Sequence, residues 1–170
     1  LKPLAVEDPQ NLYVLTSVHQ DNEKPHQLSW LDYRDYRDRA NVLTGLAGYV
    51  ISFASLNADE RADRIAVNYV TGNYFSMLGV APAHGRLILP SEGETPGADP
   101  IVVLGHRYWQ RRFNGDPSIV GRRVLVNARP VTVVGVAPAS FTGVVALVDF
   151  DAYLPFGMMS AGLREITTDR

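Results

Sequence analysis

The stretch from residue 67 to residue 86, VNYVTGNYFSMLGVAPAHGR, constrains this chain more than any other. Val67, Tyr69 and Thr71 alternate with Asn68 and Val70, a period of two that predicts a strand. Thr71-Gly72-Asn73 supplies turn chemistry and a helix N-cap, since a Thr or Asn oxygen can accept the first free amide hydrogens of a helix. Tyr74, Phe75, Met77 and Leu78 then make a short apolar surface over one or two helical turns. Gly79 falls where a helix ends on a residue of positive φ, and Pro82 prevents the helix from resuming. The stretch holds no nucleophile, metal cluster or phosphate loop, so it predicts packing and connection.

Around it the chain divides into short elements. Residues 12–18 are β-branched and apolar enough for a first strand, and the polar, proline-containing run 19–27 reads as a loop. Ser29 is a good N-cap with Asp32 at N3, a weak capping box. Tyr33, Tyr36, Ala40 and Leu43 then recur at helical steps, with mixed charges on the other faces and Asp35–Arg39 as an i, i+4 pair. Residues 49–56 and 64–70 read as a hairpin around a polar connection at 57–63. The Glu-, Gly- and Pro-rich composition of 85–100 marks the best lobe boundary. Beyond it come a strand at 101–104, a short helix at 106–113 and a turn at 114–117. Trp109 and Phe113, four apart beside Tyr108, are expected to be largely buried. Strands at 123–126 and 131–136 flank Asn127-Ala128-Arg129-Pro130, where Ala128 sits at a position that many hairpins fill with glycine. Residues 144–154 read as apolar and extended, ended by Pro155, and the tail to residue 170 has no assignment.

The chemistry legible in the chain is sparse. His19, His26, His84 and His106 are far apart and none has zinc-helix spacing. Asp149 and Asp151 flank Phe150 in the expected strand, which would set two carboxylates on one face. Such a pair can do acid–base work or bind calcium, and a solvent-facing strand edge explains it equally well. Tyr108 and Trp109 beside Arg111 and Arg112 superficially suggest base stacking. An amphipathic helix with inward aromatics is the simpler reading, because the net charge is −2. That charge gives no case for nucleic-acid binding. There is no cysteine, which excludes disulfides, thiolate metal sites and a cysteine nucleophile. No nucleotide-binding loop or nucleophile elbow is present. No catalytic, cofactor-binding or metal-binding residue and no cofactor is therefore expected. No apolar run approaches the roughly 18 residues that span a bilayer, and no signal peptide is visible. A first residue Leu1 rather than Met points to a fragment or a processed product.

The organising stretch also belongs to an ordered series. With it run Ile101-Val-Val-Leu-Gly105, Tyr108-Trp-Gln-Arg-Arg-Phe113, Gly115-Asp-Pro-Ser-Ile-Val-Gly121 and Val131-Thr-Val-Val-Gly-Val-Ala-Pro138. This series resembles the extracytoplasmic, periplasmic core domain of MacB-type ABC transporter permeases, in particular their acidobacterial orphan-permease branch. The resemblance covers residues 1–157 and implies an α+β fold. A porter-like, partial ferredoxin-like lobe (1–85) would be interrupted by a small β-rich inserted lobe (86–145), and residues 146–170 would return toward the first lobe. It implies a non-catalytic domain of an efflux or export permease at the periplasmic face of the bacterial inner membrane, one that transmits motion and docks partners. The implied partners are an ATPase subunit or domain, a second permease copy and a periplasmic adaptor, with attachment through membrane helices absent from this chain. Two other readings stay open on the residues alone. One is a soluble small-ligand-binding module, favoured if Tyr49, Tyr69 and Tyr74 turn into a cleft. The other is a hydrolase, which needs a His within reach of a carboxylate or hydroxyl.

Overall fold

Strands β3 (Tyr49–Asn57) and β4 (Ala62–Val70) pair antiparallel in perfect register, Tyr49 against Val70 and Asn57 against Ala62. They are preceded by β1 (Ser17–His19), β2 (Asn22–His26) and helix α1 (Trp30–Arg39). After them come α2 (Tyr74–Met77), β5 (His84–Gly85), β6 (Ile101–Leu104), α3 (His106–Phe113), β7 (Arg123–Val126), β8 (Arg129–Val136) and β9 (Ala152–Pro155). The computed structural model describes residues 6, 8–19, 22–26, 29–39, 43–145, 148–161 and 163, with backbone alone at 17–19 and 22–26.

The fold is α+β, with a mixed seven-stranded sheet in the order β5-β8-β6-β9-β4-β3-β7. β7 also pairs with β8, so the last strand returns to the second and the sheet closes on itself. Two of the pairings, β4 with β9 and β6 with β8, are parallel. Strands from 49–70, 101–136 and 152–155 all share this sheet.

Side-chain alternation assigns each strand to two apolar clusters. Val102, Leu104, Ala152, Leu154, Ile65, Val67, Val124 and Val126 point to one, which α3 joins through Tyr108 and Trp109. Ile101, Val103, Tyr153 and Val70 point to the other, beneath Tyr74 and Phe75 of α2. A shift in the β6–β8 register skips Val134, which lets Val131, Val133 and Val136 all face the first cluster.

The organising stretch folds much as its pattern predicts. Gly79 has φ 65°, and the Val80 N–H donates to the Phe75 carbonyl at 3.1 Å, the six-to-one bond of a Schellman ending. Gly72 is required for a different reason. A Cβ there would lie 2.3 Å from the Glu92 carbonyl oxygen and 2.6 Å from that of Leu89, so only glycine lets the 89–92 run pass. The expected side-chain N-cap is absent. The Asn73 side chain instead donates to the Leu46 carbonyl at 2.8 Å, and the Gly48 N–H donates to the Thr71 hydroxyl oxygen at 3.0 Å. These side chains fasten the 46–48 run to the turn, while the backbone alone starts the helix.

Other expectations shift. Residues 12–16 form no strand: pairing begins at Ser17, and the Ser17–His19 strand pairs with Asn22–His26 inside the expected loop. Pro25 is tolerated there because a two-stranded ribbon has open edges. The capping box is present, with the Asp32 N–H donating to Ser29 Oγ at 3.1 Å and the Ser29 N–H donating to Asp32 Oδ2 at 3.3 Å. The buried face of α1 is not the expected one, however. Trp30, three before Tyr33, stacks on it at 5.1 Å and on Phe156 at 4.6 Å, while Tyr36 is half exposed and Leu43 lies beyond the helix. Ala40 lies outside the described residues. The extended run expected at 144–154 contracts to β9, and residues 146, 147 and 164–170 lie outside the described ones.

The β7–β8 hairpin has a two-residue turn, tighter than the four residues expected. Val126 pairs with Arg129, and Asn127 and Ala128 have φ 50° and 62°. Positive φ at both central residues is the type I′ signature. Two stability measurements by chemical denaturation follow from these backbone angles. Gly79→Ala should destabilise by about 1 kcal/mol or more, because an L-residue in the left-handed region is strained. Ala128→Gly should stabilise by up to about 1 kcal/mol for the same reason with the sign reversed. Equal midpoints for Gly79→Ala and the parent would contradict the first, and a lowered midpoint for Ala128→Gly the second.

Candidate functional site

Helix α3 gathers the charges that might have made a reactive site. Its Arg107 and Arg111, four apart on one face, reach Asp149 and Asp151 respectively. Asp151 spends its other oxygen on the Ala66 N–H at 2.9 Å. Both carboxylates precede β9 rather than lying within a strand, and each is engaged by an arginine. Arg112 reaches the β3–β4 hairpin, with Nε 2.7 Å from Asp63 and Nη2 2.6 Å from Asp59. The Tyr108 hydroxyl donates to the same Asp63 at 3.0 Å. Arg107 and Arg111 are mostly exposed, so their pairs contribute little. The Arg112–Asp63 pair is 16% and 15% exposed and braces helix against hairpin more firmly.

The aromatics of α3 turn inward. Trp109 is buried and its indole N–H donates to the Asp116 carbonyl at 2.9 Å. Phe113, the last residue of α3, is partly buried and packs against the same core cluster, edge to face with Tyr108. His84 and His106 both pack on the Trp109 ring, at 5.0 and 5.3 Å. The side chains of His19 and His26 lie outside the described ones. No group of three His, Cys, Asp or Glu that could hold a metal occurs among the described residues.

What the structure does form is an apolar cleft of about 270 Å³. Trp30 and Tyr33 of α1, Tyr49 and Val50 of β3, and Tyr74 and Met77 of α2 line it, with residues 12–16 along one rim. Among the described residues, no charged side chain does. Two of the three tyrosines singled out from the sequence, Tyr49 and Tyr74, therefore meet at a cleft, while Tyr69 lies in the buried core. The α1 wall of the cleft has its sequence signal in the three-residue step from Trp30 to Tyr33. The arginine clamp had a usable signal in the four-residue spacing of Arg107 and Arg111.

Beside the cleft lies a buried polar cluster. Asn68, Tyr74 and Tyr153 are all buried, and Asn68 and Tyr153 are register partners on β4 and β9. Neither end of the Asn68 amide nor either tyrosine hydroxyl makes a hydrogen bond of ordinary geometry. The Val144 backbone and the Asn68 amide are near enough to the Tyr74 hydroxyl to favour its ionised form slightly, but burial outweighs them and pushes its pKa up.

Residues 3–169 match the family of MacB-like periplasmic core domains. The chain belongs to that family. No curated protein matches it. Among solved structures it resembles the periplasmic region of MacB from Actinobacillus actinomycetemcomitans, with TM-score 0.63 and 16% identity over 84% of this chain and 63% of that one. It also resembles the extracellular domain of the noncanonical ABC-type transporter YknZ from Gram-positive bacteria, with TM-score 0.60 and 16% identity over 76% and 63%. At that identity the likeness speaks for the fold, and the chain spans less than two thirds of either structure. Among the described residues of this MacB-like domain, no helix is long and apolar enough to cross a membrane.

The clamp makes the domain's stability pH-dependent with a defined sign. The hydrogen bond from Arg112 holds the Asp59 carboxyl below its ordinary value of 3.8. A lowered folded-state pKa adds stability that is complete above the unfolded value and is lost as pH falls through the folded one. Arg112→Met should therefore lower stability by a constant amount at pH 5–7, and the gap from the parent should narrow below pH 3.8. Denaturation at each pH measures both; a gap that does not narrow in acid would show that Arg112 acts through packing alone.

Proposed function

We propose that this chain is the non-catalytic extracytoplasmic domain of an ABC-type export permease, transmitting motion between its membrane helices and docking partners outside the membrane. The observation that carries the reading is the family match over residues 3–169. The site chemistry is in keeping with it, because the carboxylates and guanidinium groups around α3 are spent on bracing that helix against β4 and β9. A domain that passes force along needs such bracing more than it needs a reactive group. The partners in this reading are an ATPase subunit or domain, a second permease copy and a periplasmic adaptor, at the periplasmic face of the inner membrane.

Within the same reading, residues 1–85 and 146–170 make the porter-like, partial ferredoxin-like part, and 86–145 the inserted part. The succession α1, β3, β4 and the return of β9 to lie parallel beside β4 support that division.

The test has two halves. The purified chain should bind no ATP by calorimetry and turn over no ester, peptide or glycoside. In a permease carrying the domain, substitution of exposed residues of the 86–145 part, such as Arg122 and Arg129, should impair export while leaving the melting temperature unchanged. Saturable ATP binding, or turnover abolished by His84→Ala or Asp149→Asn, would overturn the assignment.

A further inference from the structure

The cleft between α1 and α2 has the attributes of a small-molecule site. Its walls are aromatic and aliphatic, and the described residues that line it carry no charge. An apolar cavity of about 150 Å³ takes a benzene-sized guest, so about 270 Å³ admits a longer molecule with an alkyl or aryl-alkyl body.

The polar cluster supplies the second observation. The Tyr74 hydroxyl is buried without a properly formed hydrogen bond, and its neighbours are Val144, Tyr49 and the equally unsatisfied Asn68. Tyr49, Tyr74 and Val144 all line the cleft. Tyr74 is thus both a wall of the cleft and the holder of an unsatisfied hydroxyl, with Asn68 behind it in the core. Buried polar groups ordinarily find a partner, and an orphaned one costs free energy that an incoming hydrogen-bonding group recovers. A charged head would find no counter-ion among the described lining residues and would lose its hydration.

We propose that this cleft binds one small amphipathic molecule, with its alkyl or aryl-alkyl body between α1 and α2 and a single uncharged hydrogen-bonding head at the Tyr74 hydroxyl.

The experiment uses the ¹⁵N-labelled chain with three probes: 1-octanol, its charged counterpart octanoate, and toluene, which has no polar head. 1-Octanol should bind saturably and shift the amides of residues 46–50 and 74–78, and octanoate should bind at least tenfold more weakly. Tyr74→Phe should weaken 1-octanol about tenfold, the worth of one hydrogen bond to a buried partner, and leave toluene unchanged. Ala47→Trp and Met77→Trp, each filling the cleft from a different wall, should abolish binding of both while leaving the circular dichroism spectrum intact. Absence of saturable 1-octanol binding overturns the proposal, as does binding indifferent to both filling variants. A cleft covered by protein would appear as a concentration-dependent dimer whose contact maps to residues 46–50, and that result overturns it too.

Discussion

The seam where β7 meets β3 holds the sheet closed, and most of the architecture depends on it. Only two residue pairs make the strand contact, Leu56 with Val126 and Asn57 with Leu125. Asn127 extends it: its N–H donates to the Ser55 carbonyl at 2.9 Å and its side-chain oxygen accepts the Ser55 N–H at 2.9 Å. The same residue opens the type I′ turn that sends the chain back along β8. Turn geometry and sheet closure are thus joined in one asparagine, one of the few non-glycine types that enter the left-handed region readily. Without the seam, Leu56, Val124 and Val126 would lose the enclosure that keeps them buried.

Closure also explains where α3 sits. A curled sheet has a concave interior that apolar side chains alone must fill, and α3 contributes Tyr108 and Trp109 to that cluster. Its arginines then reach outward to three parts of the chain: the hairpin at Asp59 and Asp63, Asp149, and Asp151 before β9. The hydrophobic contacts supply most of the stability, since the exposed ion pairs are worth at most about 1 kcal/mol each. The ion pairs fix rotation of the helix about its axis, which burial of two aromatic rings leaves less determined.

Legibility in the sequence followed locality. The hairpin of β3 and β4, the short α2 with its Gly79 exit, and the strands at 101–104 and 123–126 each carry their signal within a few residues, and each is in place. The failures have a common cause in tertiary partners. Residues 12–16 have the composition of a strand, but a strand exists only where another accepts its hydrogen bonds, and pairing starts at Ser17. Asn73 has the chemistry of an N-cap, but the Leu46 carbonyl 27 positions earlier competes for its side chain and wins it. Asp149 and Asp151 read as a carboxylate pair because the arginines that meet them lie about 40 positions earlier. The cleft is the extreme case, since its walls come from α1, β3, α2 and the segment after Phe141.

The distribution of polar groups separates two kinds of chemistry in one small domain. Around α3, Asp59, Asp63, Asp149 and Asp151 each contact an arginine, and Asp151 and Asp63 each accept a second hydrogen bond as well. Around α2 the situation is reversed: Asn68, Tyr74 and Tyr153 have donors and acceptors unspent, yet none is charged. Burial raises the pKa of both tyrosines, so they remain neutral hydroxyls throughout the physiological range. Neutral, unspent and enclosed groups of this kind recognise a ligand without transforming it. The charged groups of this fold therefore serve its rigidity, and its capacity for recognition lies with the uncharged ones.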